Sequence, residues 1–180
     1  MDAGLAALIG AIVGGIAAIA GSLIVGLTQV RTEKQKWLRS KQDEAAAQLR
    51  LQIAEVARKL SSAQHSMEWI AWYAQYAPQY VTQEMVSNYE QEIHKVFPEL
   101  LGALAVTAAL SLDAYNRLAP LAEEVYDLDA SISKALVNFK ASPLEAAKGV
   151  GEAFPKTGEM YKRLPLRIAE ILKAVEVSAR

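Results

Sequence analysis

Residues Gly4 to Leu27 carry no charged side chain, and the pattern changes abruptly after them. At about 1.5 Å rise per residue this run covers a hydrocarbon core roughly 30 Å thick. It predicts a transmembrane helix over residues 1–30. Further on, apolar or small residues fall at Ala45, Leu49, Ile53, Val56, Leu60, Ala63, Met67, Ile70 and Ala74, at spacings of four and three. That heptad predicts one long helix over about 31–77, continuous with the span and ended by Pro78. A stripe of this length must be covered, either by the rest of the chain or by the same helix in a neighbour.

The remaining chain supplies covers. Helices are expected over about 82–97, 98–118, 120–140, 143–154 and 165–179, with Thr82 as an N-cap and Pro98 opening the second at its first turn. Leu118, Leu121, Val125, Leu128, Ile132, Leu136 and Phe139 make a second near-heptad stripe starting beside Pro120. Ser142-Pro143-Leu144-Glu145 has the residues of a capping box. Leu164, Ile168, Ile171 and Val175 mark a last amphipathic helix. No segment shows the alternation of a strand. The expected fold is all-α: an N-terminal transmembrane helix continuing into a long helix, with an antiparallel cytoplasmic helical bundle over 31–180. Leu100 to Leu112 is uncharged and too short to span, so it is expected in the bundle core, with a re-entrant or membrane-resting segment as the alternative.

The flanks set the orientation. Met1-Asp2-Ala3 offers no basic side chain, whereas Arg31, Lys34, Lys36, Arg39 and Lys41 follow the run. Basic residues stay on the cytoplasmic side, which places the N-terminus outside and the C-terminal domain in the cytoplasm of an inner-membrane protein. The same features separate the run from a cleavable signal peptide, whose basic n-region and short apolar core are missing. The chain has no cysteine, in keeping with a reducing compartment. Within the run, Ala6, Gly10, Gly14, Ala18, Ser22 and Gly26 recur every four residues. Small side chains on one helix face let two backbones approach in lipid, so these positions predict a homo-oligomeric contact.

The stretch Thr28-Gln29-Val30-Arg31-Thr32-Glu33-Lys34-Gln35-Lys36-Trp37-Leu38-Arg39-Ser40-Lys41, leading to Glu44-Ala45, completes a pattern with the Gly/Ala-rich span. It resembles a broad, largely uncharacterised group of small bacterial single-pass membrane proteins. In these a short span leads to Thr-Gln, a basic run with one Trp and a long helix. The resemblance covers about the first quarter of the chain. It implies a bacterial bitopic protein and carries over no activity, cofactor or site residue.

Candidate chemistry is sparse. His65 and His94 are the only histidines, and neither stands in a Glu-x-x-His arrangement; Glu90 and His94 lie one turn apart, a spacing common on helix surfaces. There is no thiol nucleophile and no glycine-rich phosphate loop in a soluble context. No catalytic residue, metal or cofactor is therefore expected. Trp69, Trp72, Tyr73, Tyr76 and Tyr80 cluster at the end of the long helix, either as a recognition surface or as a cap on the bundle where the chain turns at Pro78. The net charge is −1, but acids dominate from Glu84 to Asp129 and bases the C-terminal third, as expected for complementary helices in one bundle. Nucleic acid is not an expected partner. The expected partners are the lipid bilayer, further copies of the chain and an unidentified protein. The leading expectation is a non-enzymatic single-pass scaffold or sensor. The alternative is a membrane-active effector, a pore-forming or delivery protein using the glycine-rich helix; a membrane-tethered enzyme is a third.

Overall fold

The computed structural model describes the backbone of residues 3–178 and the side chains of residues 29 and 31–175. Among them are five α-helices and no strand, so the protein is all-α. Helix α1 spans Ala3–Tyr76, and a 3-10 turn, Pro78–Tyr80, follows it. Then come α2 (Gln83–Leu110), α3 (Leu112–Leu136), α4 (Pro143–Gly151) and α5 (Phe154–Ser178). The chain divides into two compact units, Met1–Glu44 and Ala45–Arg180. In the first, the side chains of Ala6, Gly10, Gly14, Ala18, Ser22 and Gly26 lie outside the described residues. Arg31, Lys34, Lys36, Arg39 and Lys41 are all exposed, as is everything from Arg31 to Ala45. The bundle expected from residue 31 thus begins at Ala45, because the preceding turns carry too few apolar residues to bury.

The second unit is organised on the α1 stripe. Ile53, Val56, Leu60, Ala63, Met67 and Ile70 are completely buried and Ala74 nearly so. The chain's own later helices cover them, so this part of the heptad is satisfied in cis. Contacts descend α2 as they climb α1. Gln52 Nε2 donates to the Ala103 carbonyl oxygen at 2.9 Å, Lys59 pairs with Glu99, and Ser62 Oγ donates to Glu92 at 3.3 Å. Lys59 holds the Glu99 carboxyl below its ordinary pKa range, mainly by hydrogen bonding. α3 lies along both α2 and α5. Gln64, itself buried, donates from Nε2 to the Thr157 carbonyl oxygen at 2.6 Å and ties α5 to α1.

Three helix boundaries differ from expectation. Pro98, Pro120 and Pro165 sit inside α2, α3 and α5 and break none of them. A proline removes one helix hydrogen bond, to the carbonyl four residues back. Here those residues are His94, Asn116 and Tyr161, all exposed like the prolines, so water can take the freed carbonyls. The real break falls at Ser111, whose N–H donates to the Thr107 carbonyl oxygen at 2.7 Å. Its Oγ accepts from the Ala114 N–H at 3.2 Å, so one residue closes α2 and opens α3. Thr82 caps α2 as expected, accepting from the Met85 N–H at 3.2 Å. Ser142 makes no side-chain cap bond, so the capping box is not formed although Pro143 does begin α4.

By length and composition α2 is the one helix among the described residues able to cross a membrane, with 33% of its most apolar 18 residues buried. That fraction is the row Ile93, Val96, Leu100, Ala103, Leu104 and Thr107, turned into the bundle. The run Leu100 to Leu112 is accordingly only half core. Leu101, Val106, Leu110 and Leu112 are exposed.

Core truncation and glycine replacement test this packing. Leu60→Ala should cost about 2–5 kcal/mol in chemical denaturation, because the emptied volume is walled on every side. Leu51→Ala, at a residue 73% exposed, should stay within about 0.5 kcal/mol. A Cβ on Gly151 would meet the backbone of Ala74 and Gln75 at 3.1 Å, so Gly151→Ala should destabilise by about 1–3 kcal/mol. A Cβ on Gly102 meets nothing within 4 Å, and Gly102→Ala should stabilise by about 0.5–1 kcal/mol, the helix-propensity gain alone.

Candidate interaction surface

Trp69, Trp72, Tyr73 and Tyr76 stand at i, i+3, i+4 and i+7 on the last turns of α1, beside the buried row Met67, Ile70, Ala71 and Ala74. The helix rotation that buries the small row turns the aromatic row outward. Trp69 and Trp72 each meet Tyr73 edge-on, with ring centroids 5.0 Å apart. Trp72 lies 5.7 Å from Tyr76, and Tyr76 meets the Phe154 ring edge-on at 5.4 Å. The five rings form one ladder, in geometries worth about 0.5–1.5 kcal/mol a pair. Tyr76 is nevertheless 64% exposed and Trp72 46% exposed. Tyr73 and Phe154 are half-buried and pack against the core. Tyr80 is exposed in the 3-10 turn and joins no ring pair among the described residues. Phe154, which begins α5, was absent from the sequence pattern of this site because it arrives from a distant helix.

Beside the ladder, Trp69 also walls a cleft of ≈ 230 Å³ between α1 and α2, lined further by His65, Ser66, Asn88, Tyr89 and Glu92. Its floor is set by Tyr89, 3% exposed, whose hydroxyl donates to Asp129 Oδ1 on α3 at 2.6 Å. Burial first, and then the Asp129 carboxylate, push the Tyr89 phenol far above its usual pKa, so it stays a neutral donor. An indole wall with an amide, a carboxylate and an imidazole at the rim suits a peptide or side chain with an apolar body and a polar end. Among the described residues no group of three His, Asp or Glu side chains is placed to hold a metal ion.

Two further clefts lie between α3 and α5. Glu124, Asp127 and Ser131 face Lys156, Glu159 and Arg163 across one, and an Arg163–Glu124 ion pair closes over it. The acidic middle and basic end of the chain are joined here by helix packing. A second feature that pattern reading passed over is Gln64. Its Oε1, together with Glu68 Oε2, is buried without a hydrogen-bond partner. A glutamine on a core heptad flank was the available signal. No family model matches the chain, and no curated protein or solved structure matches it.

The Tyr89–Asp129 bond has a pH signature. The unfolded tyrosine ionises near pH 10 while the folded one resists, so rising pH favours the unfolded chain. Its contribution should be complete below about pH 10 and fall as pH rises further. Tyr89→Phe should lower stability by about 1–2 kcal/mol at pH 7 and flatten the decline above pH 10. Thermal unfolding of both proteins between pH 7 and 11 reads this directly.

Proposed function

We propose that the chain is a non-enzymatic, single-pass membrane protein whose helical bundle acts as a scaffold or sensor and receives a protein partner on its aromatic face. Residues Gly4–Leu27 anchor it, the basic run from Arg31 to Lys41 keeps the bundle in the cytoplasm, and copies associate through Ala6, Gly10, Gly14, Ala18, Ser22 and Gly26. The observation that carries the reading is the ladder Trp69–Tyr73–Trp72–Tyr76–Phe154, in which Trp69, Trp72 and Tyr76 are exposed while Tyr73 and Phe154 root it on the core. Large rings left in water at the end of a bundle are the composition of a binding hot spot. Their rigidity supports the same reading, because packed rings lose little freedom when a partner covers them. α2 is read as a bundle helix, since a third of its most apolar 18 residues is buried and Glu99 within it is paired with Lys59 of α1.

The test compares the protein in native membranes with the purified protein. In a Trp37→Phe background, Trp69 and Trp72 should be shielded from a soluble quencher in native membranes and accessible after purification. Tyr76→Ala should abolish the shielding, with a stability loss of about 1 kcal/mol or less. Equal quenching in both preparations would refute a partner at this face. Deleting residues 1–30 should release the bundle into the soluble fraction; its retention in the membrane would refute the anchor.

A further inference from the structure

The cleft beside the aromatic ladder has a polarity of its own. Trp69 of α1 and Tyr89 of α2 give it ring surface, and His65, Ser66, Asn88 and Glu92 complete the lining. Its hydroxyl protons are already used inside the fold. Ser66 Oγ donates to the Ser62 carbonyl oxygen at 3.2 Å, and Ser62 Oγ donates to Glu92 Oε1 at 3.3 Å. The Tyr89 hydroxyl donates to Asp129 Oδ1 at 2.6 Å. These bonds leave oxygen lone pairs and no hydroxyl proton for a visitor, and the Glu92 carboxylate only accepts. Glu92 is half-buried, and it makes no ion pair among the described residues. The walls bring no base to it: residues 60–76 of α1 and 83–94 of α2 contain no Lys or Arg. Lys95, one turn further along α2, is exposed and acts on the Glu99 carboxyl.

We propose that this cleft is a pocket for one basic side chain, arginine or lysine, of the protein partner received on the aromatic face. The inference deepens that reading and rests on it. A guanidinium or ammonium head supplies the N–H donors that Glu92 and the hydroxyl oxygens lack, while its apolar stem lies along the indole. A cation over a tryptophan face is also attracted by the ring quadrupole, more strongly where water is excluded. An anion would meet the Glu92 charge with no Lys or Arg in the lining to offset it. Size selects a side chain over a free metabolite. Pockets for whole small molecules run from about 300 to 1,000 Å³, whereas this cleft measures ≈ 230 Å³. Trp69 belongs to both the ladder and the cleft, so a chain laid over the rings reaches the pocket directly.

Fluorine NMR of the purified full-length protein, labelled with fluorotryptophan, tests the pocket. Trp37 and Trp72 do not line the cleft and serve as internal controls. The probe is Nα-acetyl-arginine methylamide, and the citrulline analogue is its neutral match. The Trp69 resonance should shift saturably with the arginine probe, while the two control resonances and the citrulline titration stay flat. Glu92→Gln, which keeps an oxygen for Ser62, should weaken the arginine probe about tenfold, the loss expected for one bond to a charged group. Glu90→Gln, at an exposed position on the same helix, should leave its affinity unchanged. No shift at Trp69, an equal shift with the citrulline probe, or undiminished affinity in Glu92→Gln overturns the inference. If Trp69 and Trp72 are nevertheless shielded in native membranes, the partner stands and only its basic anchor is lost. Saturable probe binding by a protein whose tryptophans are quenched equally in both preparations overturns the partner, and this inference with it.

Discussion

The structure of the second unit depends on covering one stripe of α1. A single helix in water gains little from propensity alone and is stabilised by burying an apolar face. From Ile53 to Ala74 that face is closed by the chain's own helices. α2 returns along it, held by Gln52 at Ala103 and by Lys59 at Glu99, and α5 is tied to it by Gln64 at Thr157. α3 then packs on α2 and α5, and its Tyr89–Asp129 bond to α2 places a polar lock at the edge of the core. Because small residues occupy the stripe near its end, at Ala63, Ala71 and Ala74, neighbouring backbones come close. At Gly151 a methyl group would sit 3.1 Å from the backbone of Ala74 and Gln75, closer than ordinary contact.

Covering that stripe decides what is left outside. At the end of α1 the aromatic row lies at the edge of the core, with Tyr73 packed against it and Trp69, Trp72 and Tyr76 left exposed. At the other end of the unit, α2 turns one side of its apolar run inward and leaves the other without a cover. Some charged residues pair across the bundle or along its helices: Arg163 with Glu124, Lys59 with Glu55 and Glu99, Arg117 with Asp113. Exposed apolar and aromatic side chains are thus left at two opposite ends of the bundle.

The legible parts were those with a period. The α1 stripe from Ile53 onward, the α3 stripe apart from half-buried Leu128, and the α5 stripe appear as buried rows, because a helix whose apolar residues share one side has only one way to bury them. The aromatic cluster was legible as a set of residues on one face, but its exposure and its extension to Phe154 were not. Proline misled as a helix boundary at positions 98, 120 and 165, whereas Pro78 does stand just beyond the end of α1. Pro98, Pro120 and Pro165 face water, where the lost hydrogen bond is replaced by solvent, and Ser111 breaks the chain with its two backbone and side-chain caps.

The sequence by itself determined an all-helical chain, the positions of the core rows and the complementary charge of its later helices, since each follows from local periodicity and composition. Only the tertiary structure decided that the long helix is covered in cis from Ile53 onward and that half of Leu100–Leu112 is exposed. It also decided that Tyr76 and Phe154 share a surface. Those outcomes depend on which helix lies against which, a choice made by contacts between residues tens of positions apart, and no local pattern encodes it.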